Sequence, residues 1–447
     1  MTKGNPRGIR EKIEKLIYSY TQKLQKHENS RPISAILVLT GSVSFSNIPY
    51  TKAGRYDMEN TGQTNKTRKE RELPLEVLRI LACIMVVATH IKLGMTSAGS
   101  PDRRRILITV LAGDGVSLFW CITGCFFFQG KKSYKELIRK TFLRIGLPAL
   151  VLSVILFWLG GFLFGGVTLR QSIAHSPQEW KALLINGFLG GNCVIPRTDH
   201  LWFLLVYFLV ILLYPMLWGA KTYLFGSSPD EKKTSFKKEV LLVLILFGVL
   251  IANDITGNTL LRIRHQGLGG VAGAVPMMVL GAVLYRHRDL YSGSLAAGIA
   301  GAFLFVLVCV LWMNTEYRLL LEDLAYEERQ CRICGFGYVK MFSLFLMAYG
   351  FHRTVPADSR LKRVLLHLGK LSFYIYLVHF PMLTLLDRTG IRPLASRLLT
   401  GSVIGELLYP LMLTVALLLF SIPAAEIFMA AHQGLLSLFR PWERGDA

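Results

Sequence analysis

The chain has 447 residues, a formal net charge of +22 and an apolar share of 52%. A basic balance of that size would suit nucleic acid in a soluble protein, but here apolar runs of membrane-spanning length recur along most of the chain. Lys and Arg lie mostly in short segments between those runs, where they orient spans and meet anionic lipid headgroups, so nucleic-acid binding is disfavoured. The fold class is an all-α, polytopic helical membrane protein.

Residues 1–72 read as a polar, partly disordered cytosolic extension. The apolar run Ile33 to Leu39 is too short for a span and marginal for a signal-peptide core. Ile9, Ile13, Leu16, Ile17, Tyr20 and Leu24 recur at helical spacing among Lys and Glu, which suits an interfacial helix and equally a short helix with no binding role. Gly41 to Lys66, rich in Ser, Thr, Asn and Gly, reads as linker. Asn65-Lys66-Thr67 matches a glycosylation sequon that a cytosolic position would cancel. Met58 is an alternative start, and the region before it is expected to be dispensable for catalysis.

From Leu73 to residue 432 the chain reads as one membrane domain of about ten transmembrane helices, followed by a short cytosolic tail over 433–447. The expected limits are 74–93, 106–128, 146–166, 200–218, 239–252, 269–285, 293–313, 336–352, 369–387 and 404–430, the fifth being the shortest. With the first span starting inside, inner segments hold about 24 positive charges and outer segments about 15, which favours cytoplasmic termini in a multi-pass plasma-membrane protein. Arg103, Arg104 and Arg105 run against this locally. No repeat or internal symmetry of the kind seen in many transporters is visible.

The seven cysteines are odd in number and scattered, so no disulfide framework is implied. Cys331 and Cys334 form a C-x-x-C without the second ligand pair that structural zinc needs; chance is the favoured reading, with a local disulfide open in an oxidising compartment. No metal is implied.

The residues that suggest chemistry begin in the first span, LPLEVLRILACIMVVATH, where Arg79 and His90 interrupt an apolar run. Ten residues separate them, so in a helix they share a face about 16 Å apart in depth. Alternatively, Arg79 pairs with Glu76 and reaches the headgroups while His90 caps the helix end. Lys131 to Arg144 carries six cations against Glu136 alone, which fits either a cradle for phosphates or a topology anchor. His200 and Trp202 open the fourth span, where an interfacial anchor is the plainer reading. His379, with Ser372, Tyr374 and Tyr376 before it, is deeper in the ninth span and reads equally as a site residue or a helix-tying histidine. No G-x-S-x-G or H-E-x-x-H appears, so soluble-hydrolase and zinc-protease mechanisms have no support.

The Arg79-to-His90 spacing in the first span resembles the opening motif of acyltransferase family 3, integral membrane O-acyltransferases of envelope polysaccharides. GDGVSLFWCITGCFF (Gly113 to Phe127), the basic run ending in Arg144 and Pro148, HLWFLLVYFLVILLYP (His200 to Pro215) and LGKLSFYIYLVHFPM (Leu368 to Met382) are similar to family segments in the expected order. Thr123 stands where a serine is more usual, and Thr141 precedes Arg144 by three where family members often have a second arginine, which sets Arg139 apart from the pattern. The resemblance implies O-acylation, chiefly acetylation, of a hydroxyl on a surface polysaccharide or other envelope glycoconjugate. The donor would be acyl-coenzyme A, chiefly acetyl-coenzyme A, as a substrate and not a tightly bound cofactor. His90 and Arg79 are then the catalytic pair, with His90 as general base and Arg79 on the donor. Arg139, Lys140 and Arg144 would hold the donor phosphates, and His200, Trp202, Ser372, Tyr376 and His379 would line or support the acceptor side. The rival reading is a secondary transporter or flippase for a sugar or lipid-linked intermediate, for which an intramembrane Arg and His would also serve.

Overall fold

A computed structural model describes residues 71–91, 103–164, 166–174, 179–180, 199–225, 232–263, 267–322, 324, 329, 332–356, 359–399 and 403–438. The expectations for residues 1–70, the glycosylation sequon, Met58, Cys331 and the last nine residues lie outside these.

Among the described residues there are helices and no strands. They are α1 (Leu73–His90), α2 (Arg103–Ala112), α3 (Gly115–Phe127), α4 (Tyr134–Thr141), a π-helical turn Phe142–Gly146, α5 (Leu147–Phe164) and α6 (Leu169–Ile173). A 3-10 turn, Asp199–Leu201, leads into α7 (Trp202–Leu212) and α8 (Tyr214–Phe225). Then come α9 (Lys232–Ile255), α10 (Gly267–Arg286), α11 (Leu295–Leu321), α12 (Cys334–Phe351), α13 (Arg360–Arg388), α14 (Ile391–Leu399) and α15 (Val403–Leu438). The last helix runs past the boundary expected at 432.

Eight stretches are long and apolar enough to cross a membrane, and α7 with α8, bent by 58°, makes a ninth. The fifth expected span, 239–252, corresponds to α9, whose apolar stretch is bracketed by Glu239 and Asp254. Contacts at its two ends show that it runs the length of the bundle. Glu239 meets Arg286 and His287 at the end of α10, while Asp254 accepts the backbone N–H groups of Cys334 and Gly335 at 3.1 and 2.7 Å, capping the start of α12. Tyr349, near the other end of α12, donates to Glu72 beside the start of α1 at 3.3 Å. We call the end of the bundle where α1 starts proximal and the end where His90 lies distal.

Close approach of α3 and α10 depends on two glycines: a Cβ on Gly124 would sit 1.9 Å from the Met278 carbonyl oxygen, and one on Gly281 would sit 2.0 Å from that of Cys121. The second membrane segment is broken at Gly113 and Asp114, where Asp114 adopts φ 69° and accepts from Ser117 in the first turn of α3. Such a break leaves the last carbonyls of α2 without helical partners. Lys340 of α12, fully buried, supplies them: its ammonium donates to the carbonyls of Val110, Leu111 and Gly113 at 2.6, 3.2 and 2.8 Å.

Candidate active site

Three histidines far apart in the sequence meet at the distal end. His90 closes α1, His200 lies in the 3-10 turn before α7, and His379 sits on α13. Ring centroids are 5.1 Å apart for His90 and His379, 4.8 Å for His200 and His379, and 6.4 Å for His90 and His200. Phe380 joins them, stacked on His200 at 5.2 Å and edge-on to His90 at 5.0 Å. His200 and His379 are buried, whereas His90 is only partly covered.

Backbone chemistry fixes how two of these rings stand. A proline has no N–H, so Pro381 inside α13 cannot bond the carbonyl of Leu377 one turn earlier. That carbonyl lies 3.1 Å from Nε2 of His200, and since a carbonyl only accepts, Nε2 carries the proton and donates. Nδ1 of His379 likewise donates to the carbonyl of Tyr376 at 2.7 Å. Each ring is then left with a basic nitrogen, Nδ1 of His200 and Nε2 of His379, buried and with no hydrogen-bond partner among the described residues. Tyr376, itself buried, donates its hydroxyl to the carbonyl of His200 and so ties the 3-10 turn to α13. The proposed acceptor-side residues thus divide. His200, Tyr376 and His379 come together with His90. Ser372 uses its hydroxyl on the Gly369 carbonyl of its own helix, 2.9 Å away, and Trp202 packs against Phe203 at 6.5 Å.

Arg79 faces the proximal half of α1. It pairs with the buried carboxylate of Glu76, which Arg71 also approaches at 3.5 Å, and its guanidinium lies 5.5 Å from the centre of the Phe126 ring. Phe126 packs in turn on Tyr285 at 5.9 Å. Tyr285 belongs to the wall of a cavity of about 430 Å³, which also includes Gln129, Lys221, Arg286, Arg288 and Asp289. Two acids brace this wall from outside it. Glu239, buried, pairs with Arg286 and His287, and Glu72 takes the Tyr285 hydroxyl at 2.6 Å and Arg288 at 3.5 Å. Burial, and then the charge on Arg286, hold His287 below the ordinary histidine value, and its Nε2 meets Glu239 at 2.7 Å.

Arg139, Lys140 and Arg144 are exposed on α4 and the π-helical turn, with Lys140 paired to Glu136, and none of the three belongs to the cavity wall. The π-helical turn is held by His432 of α15. Its Nε2 donates to the Leu143 carbonyl at 3.0 Å while Nδ1 accepts from Tyr374 at 2.8 Å. No group of three or more His, Cys, Asp or Glu among the described residues is arranged to hold a metal ion.

The comparison with known families decides the class: the model of acyltransferase family 3, an acyltransferase domain, matches residues 74–426. The chain belongs to this family. It is therefore a membrane acyltransferase, a transferase of groups other than aminoacyl groups. No curated protein and no solved structure matches the chain significantly. Sequence reading alone did not assemble the cavity, because cations between apolar runs enter it only as a total of inner-side charge. Phe380 and Pro381 were visible only as members of the LVHFPM block.

Proposed function

We propose that this acyltransferase moves an acyl group, chiefly acetyl, from acyl-coenzyme A to a hydroxyl of a surface polysaccharide or related envelope glycoconjugate. The observation that supports this most is the convergence of His90, His200 and His379, two of them with a buried ring nitrogen that has no hydrogen-bond partner among the described residues. Attack by a hydroxyl on a thioester carbonyl needs a base for the hydroxyl proton, and imidazole suits that task near neutral pH. His90, the ring with access to the surroundings, is the general base. His379 and His200 lie beside it as acceptors for an incoming hydroxyl or for the proton it releases. Tyr376 positions His200, and Trp202 and Ser372 belong to the supporting shell of the same helices. Arg79 acts on the donor from the proximal half of α1, and the exposed cations Arg139, Lys140 and Arg144 draw the polyanionic donor toward that end. The proximal end then faces the cytoplasm, with the protein in the plasma membrane.

Membranes bearing the protein, incubated with acetyl-coenzyme A labelled in the acetyl group, should transfer label to envelope glycan, and glycans from cells with the protein should carry an acetyl mass increment. Vesicle uptake of a sugar without any transfer would overturn the reading.

A further inference from the structure

The proximal cavity lies at the opposite end of α1 from the histidines, and its wall has a composition that the histidine site does not explain. Among the described residues of the wall, Lys221, Arg286 and Arg288 stand with one acid, Asp289, an excess of two positive charges. Glu239 and Glu72 are not part of the wall; they hold Arg286 and Arg288 from behind. A guanidinium has five N–H donors in a rigid fork, so one edge can be fixed by a carboxylate while the other stays directed at a ligand. Arg288 is further fixed by stacking on Tyr285, 4.2 Å from the ring centre. Oriented cations, a neutral amide in Gln129 and a phenol in Tyr285 suit a ligand rich in anionic oxygens.

We propose that this cavity seats the phosphate groups of the acyl donor, held by Lys221, Arg286 and Arg288. The assignment rests on the reading of the donor as a coenzyme A thioester. Arg79, one ring away through Phe126, marks the start of the path from this seat, and the eleven-residue rise from Arg79 to His90 along α1 is about 16 Å. A donor that carries its phosphates and its thioester at opposite ends of a long flexible arm matches that separation. The exposed cations at 139, 140 and 144 then serve for capture and the cavity for seating.

The full-length protein in nanodiscs of zwitterionic lipid, which offers no net anionic headgroup to compete, provides the binding measurement. Lys221→Met and Arg288→Gln should each raise the Kd for coenzyme A about tenfold or more, the loss expected for one charge-assisted contact. Lys221→Arg should retain most of the affinity. Adenosine bisphosphate, the phosphate-bearing end alone, should compete with acetyl-coenzyme A on the parental protein. In membranes, transfer from S-acetyl-pantetheine, which lacks the adenosine phosphates, should be unchanged in Lys221→Met and Arg288→Gln, and that unchanged transfer also shows that both variants fold. Parental affinity for coenzyme A in both variants would overturn the cavity assignment, as would an equal loss of transfer from both donors or a failure of adenosine bisphosphate to compete. A parental protein that neither binds coenzyme A nor consumes its acetyl thioester would instead overturn the underlying reading of the donor.

Discussion

Pro381 lacks the backbone N–H that would otherwise bond the Leu377 carbonyl, and that carbonyl holds the His200 ring. Pro381→Ala restores a competing donor in α13. One neutral hydrogen bond is worth about 0.5–1.5 kcal/mol, so the turnover number should fall about two- to tenfold, with the KM for donor unchanged because the donor seat is at the other end of α1. An equal rise in KM would show that the proline acts through helix shape instead. His90→Ala should lower transfer about 100-fold or more while donor binding persists, since a base acts chiefly in the transition state. Parental rates from a well-folded His90→Ala protein would remove its assignment as base. Arg79→Ala has two expected effects: weaker donor binding, and lower stability because buried Glu76 loses its close partner and retains only Arg71 at 3.5 Å. Arg79→Lys should recover the stability more fully than the donor affinity if a planar fork is what the donor needs.

At the scale of elements, the broken second membrane segment depends on Lys340. Lys340→Met leaves the carbonyls of Val110, Leu111 and Gly113 without their shared donor in a buried setting, at about 1–3 kcal/mol for each group left unsatisfied. Thermal unfolding in detergent should therefore come at clearly lower temperature, and an unchanged midpoint would mean that the α2–α3 break is not held by this residue. The sequence shows where such helices lie more readily than what joins them. α1 and α13 were legible because each carries a histidine in a long apolar run, and α7 because His200 stands just before one; their order matches the family pattern. The partners of those residues were not legible, since Glu239 and Arg286 are 47 positions apart and Lys340 and Val110 are 230 apart. Periodicity reports the face of one helix and carries no information about which other helix meets it. A cation between apolar runs likewise satisfies the positive-inside pattern whether or not it also reaches a cavity, so that pattern does not single out Arg286 and Arg288.

At the scale of the whole molecule, α15 returns to the proximal end, where His432 reaches the π-helical turn, so Arg71 and Leu438 bound the described bundle on the same side. Single cysteines introduced into a cysteine-free parent test the direction. Ser133→Cys, exposed at the proximal end, should resist an impermeant thiol reagent in intact cells, and Arg170→Cys, exposed on α6, should react; the reverse pattern would invert the orientation. The length of α15 adds a further consequence. Its 36 residues rise about 54 Å, against about 30 Å of bilayer hydrocarbon, and the exposed apolar side chains along it continue from Ile404 only as far as Ile427. The remaining eleven residues, about 16 Å, carry the helix to the proximal end, where His432 meets the π-helical turn. On the proposed seating of the donor phosphates in the proximal cavity, anionic lipid headgroups at that end are competitors for the same cations, and apparent donor affinity should decline as the anionic fraction of the surrounding lipid rises.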